Sequence, residues 1–160
     1  MAAPLLIVWH SRTGASEQLA QAAKAGAADL ASLVPAAEAS PAHFMAAAGF
    51  LFVCPENLGS MSGLMKEMFD RCYYPLLGQL EGRAYATVTA AGSDGSNAVR
   101  QIDRIVTGWR LRRVAEPVIV NLDAQTASAI LAPKRLEGAM LNEASRLGQA
   151  LGEGLASGIF

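Results

Sequence analysis

Cysteine is scarce: Cys54 and Cys72 are the only two, without C-x-x-C spacing. That excludes a disulfide framework and leaves no zinc-type ligand set, so both read as buried thiols. Aromatic residues make up 6% of the chain and charged residues 17%, with a net charge of -1. Beyond Arg110, Arg112 and Arg113 there is no basic stripe, so nucleic acid is not an expected partner. No apolar run approaches the roughly 18 residues of a membrane span, and no basic region precedes the first apolar stretch. Neither a membrane nor a signal peptide is therefore expected, and the expected compartment is the cytoplasm. What the chain does have is a hydrophobic fraction of 52% over 160 residues, enough to bury a core as one domain, 1–160.

Several motifs are also missing. No G-x-G-x-x-G follows the first apolar run, so a Rossmann dinucleotide site is unsupported, and no G-x-x-x-x-G-K-[ST] marks a nucleotide-hydrolysing P-loop. A phospho-receiver needs an aspartate at a central strand end, where this chain has Trp9-His10 and Cys54-Pro55. No Ser/His/Asp grouping stands out. His10 and His43 have no evident metal partners and read as ordinary polar residues.

The pattern that is present alternates strands with helices. Leu5 to Trp9 is continuously apolar, as in a strand covered on both faces. From Glu17, the residues Leu19, Ala23, Gly26 and Leu30 recur at helical spacing, with an end expected near Ala31. Leu33 to Ala37 is a short strand candidate interrupted by Pro35. Ser40 and Pro41 open a brief helix as cap and first residue. Phe50 to Cys54 is the second strong strand, with Pro55 expected to stop its ladder. Leu64, Met65, Met68, Phe69 and Cys72 mark a helical core face, so the two methionines are assigned to packing rather than to a cofactor pocket. Ala84 to Ala90 forms a further strand. Val99, Ile102, Ile105, Val106 and Trp109 mark the next helix, Val114 to Val120 the last strand, and a final helix is expected from about Pro133. Asn121 to Ala132 reads as loop with a short helical turn. This order predicts an α/β domain with a parallel sheet between two helical layers.

Ligands of such sheets bind beyond the carboxyl ends of the strands, where three small, polar loops fall. In the first, His10 to Ser16, the hydroxyls of Ser11, Thr13 and Ser16 and the flexible Gly14 lead straight into a helix. The unpaired amides there suit an anion, although the same residues would also serve as a simple helix cap. The second runs from Pro55 to Gly63 and the third from Ala91 to Ser96.

With these motifs the chain resembles the flavodoxin-like FMN-binding proteins, and among them the NAD(P)H-dependent FMN and quinone reductases. The resemblance rests on W-H-S-R-T-G-A-S from Trp9, on P-E-N-L-G-S-M-S-G-L-M-K-E-M-F-D-R from Pro55, and on A-A-G-S-D-G-S-N-A-V-R-Q-I from Ala90. It implies a flavodoxin-like three-layer sandwich with a five-stranded parallel sheet of order 2-1-3-4-5. It further implies that Ser11, Arg12, Thr13, Gly14, Ala15 and Ser16 enclose the FMN phosphate. Pro55, Glu56, Asn57, Leu58, Gly59, Ser60 and Met61 would line one side of the flavin, and Ala91, Gly92, Ser93, Asp94 and Gly95 the other. Ala15 departs from the asparagine frequent in this group, losing a side-chain donor but not the backbone site.

Carrier flavodoxins shield both flavin faces with aromatic rings and are strongly acidic. Neither flavin loop here contains Trp, Tyr or Phe, which favours hydride transfer from NAD(P)H through FMN to a quinone, flavin or similar small acceptor. An electron carrier serving a redox protein partner is the alternative, and a flavin-free binding module a third. The resemblance is compatible with a homodimer or tetramer, in which Tyr73 and Tyr74 could reach a neighbouring site; core or surface packing is their simpler role.

Overall fold

A computed structural model of the chain describes residues 3–160. Its sheet is built from β1 (Leu5–Trp9), β2 (Ala31–Pro35), β3 (Gly49–Asn57) and β5 (Ala84–Ala91), with β6 (Arg112–Arg113) and β7 (Val118–Asn121) both paired to β5. The order is β2-β1-β3-β5-β6, all parallel, and β7 continues the edge that β6 begins. The expected arrangement of five parallel strand positions, 2-1-3-4-5, is therefore present, with its last position split in two. Pro117 lies in the gap and cannot donate to a ladder. A short β4 (Ser60–Met61) adds an antiparallel hairpin to the end of β3.

Several expected boundaries move: β2 is Ala31–Pro35 rather than Leu33 to Ala37, and the strand expected over Val114 to Val120 is replaced by β6 and β7. Two further shifts have identifiable reasons. β3 does not stop at Pro55 but runs to Asn57, with Pro55 opposite Ala90 of β5. Alternate strand residues aim their backbone groups to opposite sides, and the Val53 carbonyl accepts from the His10 amide on the β1 side. Pro55 faces that same side, where β1 has already ended at Trp9, so its missing N–H breaks no ladder bond. The second change is at the last helix, which begins at Gly138 rather than Pro133. The intervening residues run extended across the first loop.

Alternation along the strands splits the core. Leu5, Ile7, Leu51, Val53, Ala86 and Val88 point to one face, covered by α1 (Ala15–Ala27) and α6 (Gly138–Ser157). Leu6, Val8, Phe50, Phe52, Cys54 and Tyr85 point to the other, covered by α2 (Pro41–Ala46), α3 (Gly63–Tyr73) and α4 (Ser96–Gly108). The first helix ends at Ala27 and a single 3-10 turn, Ala28–Leu30, completes it before β2. Ser40 and Pro41 open α2 as expected, and His43 closes a reciprocal capping box with Ser40. The Arg83 guanidinium satisfies the other end of this helix by donating to the carbonyls of Phe44 and Ala47 at 2.9 and 2.6 Å. Met65 and Met68 are fully buried among the core residues. A short α5 (Ala127–Leu131) supplies the helical turn expected between β7 and α6. No helix among the described residues is long and apolar enough to cross a membrane.

Candidate functional site

The apolar β1 delivers His10 to Ser16 to the carboxyl edge of the sheet, and Gly14 makes the turn into α1 with φ at 100°, a conformation costly for any residue with a Cβ. The Gly14 amide donates to Ser11 Oγ at 3.0 Å. Because that oxygen is already accepting, the Ser11 hydroxyl proton is free to point outward. Ser16, in the first turn of α1, is buried and its Oγ has no hydrogen-bond partner among the described residues. A buried orphan hydroxyl is costly, and here it lies where the unpaired amides of a helix N-terminus converge.

An extended strap from Ala132 to Glu137 covers this loop. The Lys134 amide donates to the Thr13 carbonyl at 2.8 Å. Gln18, on α1, donates through Nε2 to the carbonyls of Gly14 and Lys134, each at 2.8 Å, and accepts from the Leu136 amide at 3.1 Å. One glutamine thus clasps loop and strap together. His10 meets Ser62 Oγ at 2.8 Å. Burial, and secondarily the Arg12 charge, hold its imidazole below the ordinary value. Cys54, fully enclosed at the end of β3, has its thiol pushed up to about 12 chiefly by burial, so it is not a thiolate at neutral pH.

The second loop is a hairpin fastened to α4. Glu56 accepts at Oε1 from the Gly95 amide and at Oε2 from the Ala98 amide, both at 3.0 Å. Its negative charge therefore sits on the N-terminus of α4, where the helix dipole favours it. Gln101 Oε1 accepts from Ser60 Oγ at 2.9 Å and from the Met61 amide at 2.8 Å, and the Asn97 amide group donates to the Gly59 carbonyl. Three side chains, Glu56, Asn97 and Gln101, lock the hairpin against one helix.

The third loop is held from below. Asn121 donates to the Ser93 carbonyl at 2.7 Å, and the Ala124 amide to that of Gly92 at 2.9 Å. Hydrogen bonds from the Ser96 hydroxyl and amide hold the Asp94 carboxyl below its ordinary range.

The three loops meet in one cleft of about 500 Å³. Of the residues singled out by the sequence, Ser11, Arg12, Thr13, Ala15 and Ser16 line it from the first loop, Pro55, Glu56, Asn57, Leu58 and Gly59 from the second, and Ala91, Gly92 and Ser93 from the third. Gly14, Ser60, Met61, Asp94 and Gly95 instead serve the loops' own hydrogen bonds. Sequence reasoning missed Ala90, Leu122, Ala124, Ile130, Leu131 and Lys134, which line the cleft as well, and the fasteners Gln18, Asn97 and Gln101. Tyr73 and Tyr74 lie elsewhere: Tyr73 stacks on Trp109 at 5.8 Å between centroids, and Tyr74 is exposed. No Phe, Tyr or Trp is among the lining residues. A cleft of this size, with flat loop walls, an apolar side formed by Leu58, Ile130 and Leu131, and helix N-terminal amides at one end, is suited to a flat phosphorylated ligand.

Comparison with known proteins agrees with this geometry. The sequence profile of the NADPH-dependent FMN reductases matches residues 27–126, a stretch that contains the second and third loops but not the first. No curated protein matches the sequence. Among solved structures, a flavodoxin from the domain Archaea superposes with a TM-score of 0.77 at 14% identity, covering 95% of this chain and 98% of that one. The flavodoxin, WrbA-like protein from Agrobacterium tumefaciens gives 0.73 at 16% identity, over 98% and 99%. The flavodiiron protein from Giardia intestinalis gives 0.76 at 16% identity, over 96% of this chain but 36% of that one. These likenesses establish the flavodoxin-like fold.

Proposed function

Because the chain belongs to the NADPH-dependent FMN reductase family, we propose that it is an FMN-binding oxidoreductase that takes hydride from NAD(P)H and passes it on to a quinone, flavin or similar small acceptor. The observation that carries this reading is the cleft itself. Its anion-binding end is preformed, its walls are small, and none of its lining residues is aromatic. A second flat ring then has room to lie against the cofactor.

The residues present fit FMN. The amides at the start of α1, the free proton of Ser11 and the unpartnered hydroxyl of Ser16 supply donors for a dianionic phosphate. Arg12 adds a full positive charge at the same end of the cleft. Pro55 to Gly59 and Ala91 to Ser93 supply the two walls. FMN held there would supply two-electron chemistry, linking hydride removal from nicotinamide to two-electron, two-proton reduction of the acceptor, with the second proton drawn from water.

The chain's own contribution is position and electrostatics. Glu56 is tied to the N-terminus of α4, whose dipole offsets part of its charge toward the cleft. The amides of Met61 and Ser62 are spent on Gln101 and on the Pro55 carbonyl, so stabilisation from this loop falls to the turn amides of Leu58 and Gly59. Cys54 and Cys72 are free and buried, in keeping with work in a reducing compartment such as the cytoplasm.

An anaerobic titration of the FMN-loaded protein with NADPH tests the reading. Loss of the yellow flavin absorbance in a single step at one equivalent is expected. Absence of reduction over minutes, with a long-lived one-electron form under dithionite, would instead assign the protein as a carrier.

A further inference from the structure

The hairpin tip carries a residue that neither turn chemistry nor core packing explains. β3 and β4 are joined by two residues only, and both are left-handed: Leu58 has φ of 54° and Gly59 of 69°. A two-residue loop of this type takes Asn, Asp or Gly at its first position, because a longer side chain is strained there. This chain places leucine at that position. Nor does the side chain recover the cost by burial, since Leu58 is fully exposed at 105%.

The tip cannot relax away from this conformation. The hydrogen bonds from Asn97 to the Gly59 carbonyl and from Ser60 and Met61 to Gln101 pin the residues that follow it. Leu58 is thereby held as an apolar projection that lines the cleft. Two more exposed apolar side chains, Ile130 at 52% and Leu131 at 71%, line the same cleft from α5. Of the charged residues that line the cleft, Glu56 is tied to the N-terminus of α4, the Lys134 ammonium donates to the carbonyls of Ile130 and Ala132 at 3.0 and 2.6 Å, and Arg12 belongs to the first loop, at the end read as the phosphate site.

We propose that Leu58 is a specificity-determining residue, an apolar lip shared with Ile130 and Leu131 that selects a flat, uncharged, apolar electron acceptor such as a quinone ring over charged acceptors. The inference rests on the reductase reading for its redox step, in which two electrons and two protons convert the quinone to the hydroquinone. A charged protein surface fits this lip poorly, because the lip has no free charge to answer it.

The test compares Leu58→Asn and Leu58→Met with the parent protein. Asparagine suits the turn, so the thermal midpoint of the flavin-free protein is expected to hold or rise, whereas loss of the apolar lip should weaken menadione binding about tenfold. That affinity is read by equilibrium dialysis against oxidised, FMN-loaded protein, without turnover. In steady state, the ratio of kcat/KM for menadione to that for ferricyanide should fall about tenfold in Leu58→Asn and recover in Leu58→Met. Unchanged dialysis affinity, or an equal loss for both acceptors, would overturn the proposal. If NADPH fails to reduce the parent protein the reductase reading falls, and the dialysis result still decides the lip.

Discussion

The two helical layers that enclose the sheet are packed by opposite means. On the face covered by α1 and α6, backbone approaches backbone: a Cβ on Gly148 would lie 2.0 Å from the Ala23 carbonyl oxygen, and one on Gly26 2.0 Å from that of Ser145. On the other face, space is filled by rings. Phe44, Phe50, Phe52, Phe69 and Trp109 form a continuous cluster with neighbouring centroids 5.2 to 6.4 Å apart. The indole N–H of Trp109 is satisfied by the Tyr73 carbonyl at 2.9 Å. The contact between α1 and α6 has no room for an added atom at Gly26 or Gly148, and the ring layer is held by the atoms it has. The cleft draws on both, taking its first loop and helix N-terminus from α1 and its hairpin anchor from α4.

The sharpest way to break the contrast is to empty the aromatic layer. Phe52→Ala should cost about 3–5 kcal/mol, read as a fall in urea midpoint, because a fully buried ring is removed from a cluster that cannot collapse to fill the gap. The converse change in the other layer is Gly148→Ala, expected to cost about 1–3 kcal/mol although alanine is the better helix former. Gly138, on the same helix, is its control, because a Cβ added there would meet nothing within 4 Å. Gly138→Ala should change stability by about 0.5 kcal/mol or less, or raise it. Equal effects at the two glycines would dissolve the distinction between the layers.

A third variant separates packing from binding within the α1 layer. Thr13→Glu places negative charge at the anion end of the cleft and should weaken FMN binding at least about tenfold, ~1.4 kcal/mol, while leaving the urea midpoint of the flavin-free protein nearly unchanged. Fluorescence titration measures the first and denaturation the second. Unchanged affinity would move the phosphate elsewhere.

The smallest effect concerns pH. His10 is held below the ordinary imidazole value of 6.5 by burial and then by Arg12, so the unfolded chain binds the proton more readily than the folded one. The associated stability is fully present above 6.5 and is lost as pH falls from 6.5 through the lower folded value. His10→Asn should flatten that part of the stability profile, measured by thermal melts just below 6.5. An unchanged slope would assign it to other groups.

Much of this was legible from local pattern. Unbroken apolar runs revealed β1 and β3, the hydroxyls and glycine of His10 to Ser16 marked the start of α1, and Ser40-Pro41 announced α2. Features resting on distant partners were not. That Glu56 caps α4 depends on residues about forty positions away, and the strap over the first loop depends on Gln18 meeting residues more than a hundred positions later. Its polar, proline-containing stretch looks like the start of α6 until those contacts are known. Leu58 carried a visible signal, a Leu-Gly pair where a tight hairpin favours Asn-Gly, but only the fixed register of β3 and β4 reveals the turn.

The Gln18 clasp also bears on the order of assembly. The first loop is translated early, yet the groups that hold its far side, the amide and carbonyl of Lys134 and the amide of Leu136, leave the ribosome more than a hundred residues later. The far side of the first loop is therefore fastened only when residues 134–136 dock. Closure over so long a stretch of chain is slow compared with local helix formation. A nascent chain halted before residue 134 carries the whole first loop without the contacts that fasten its far side.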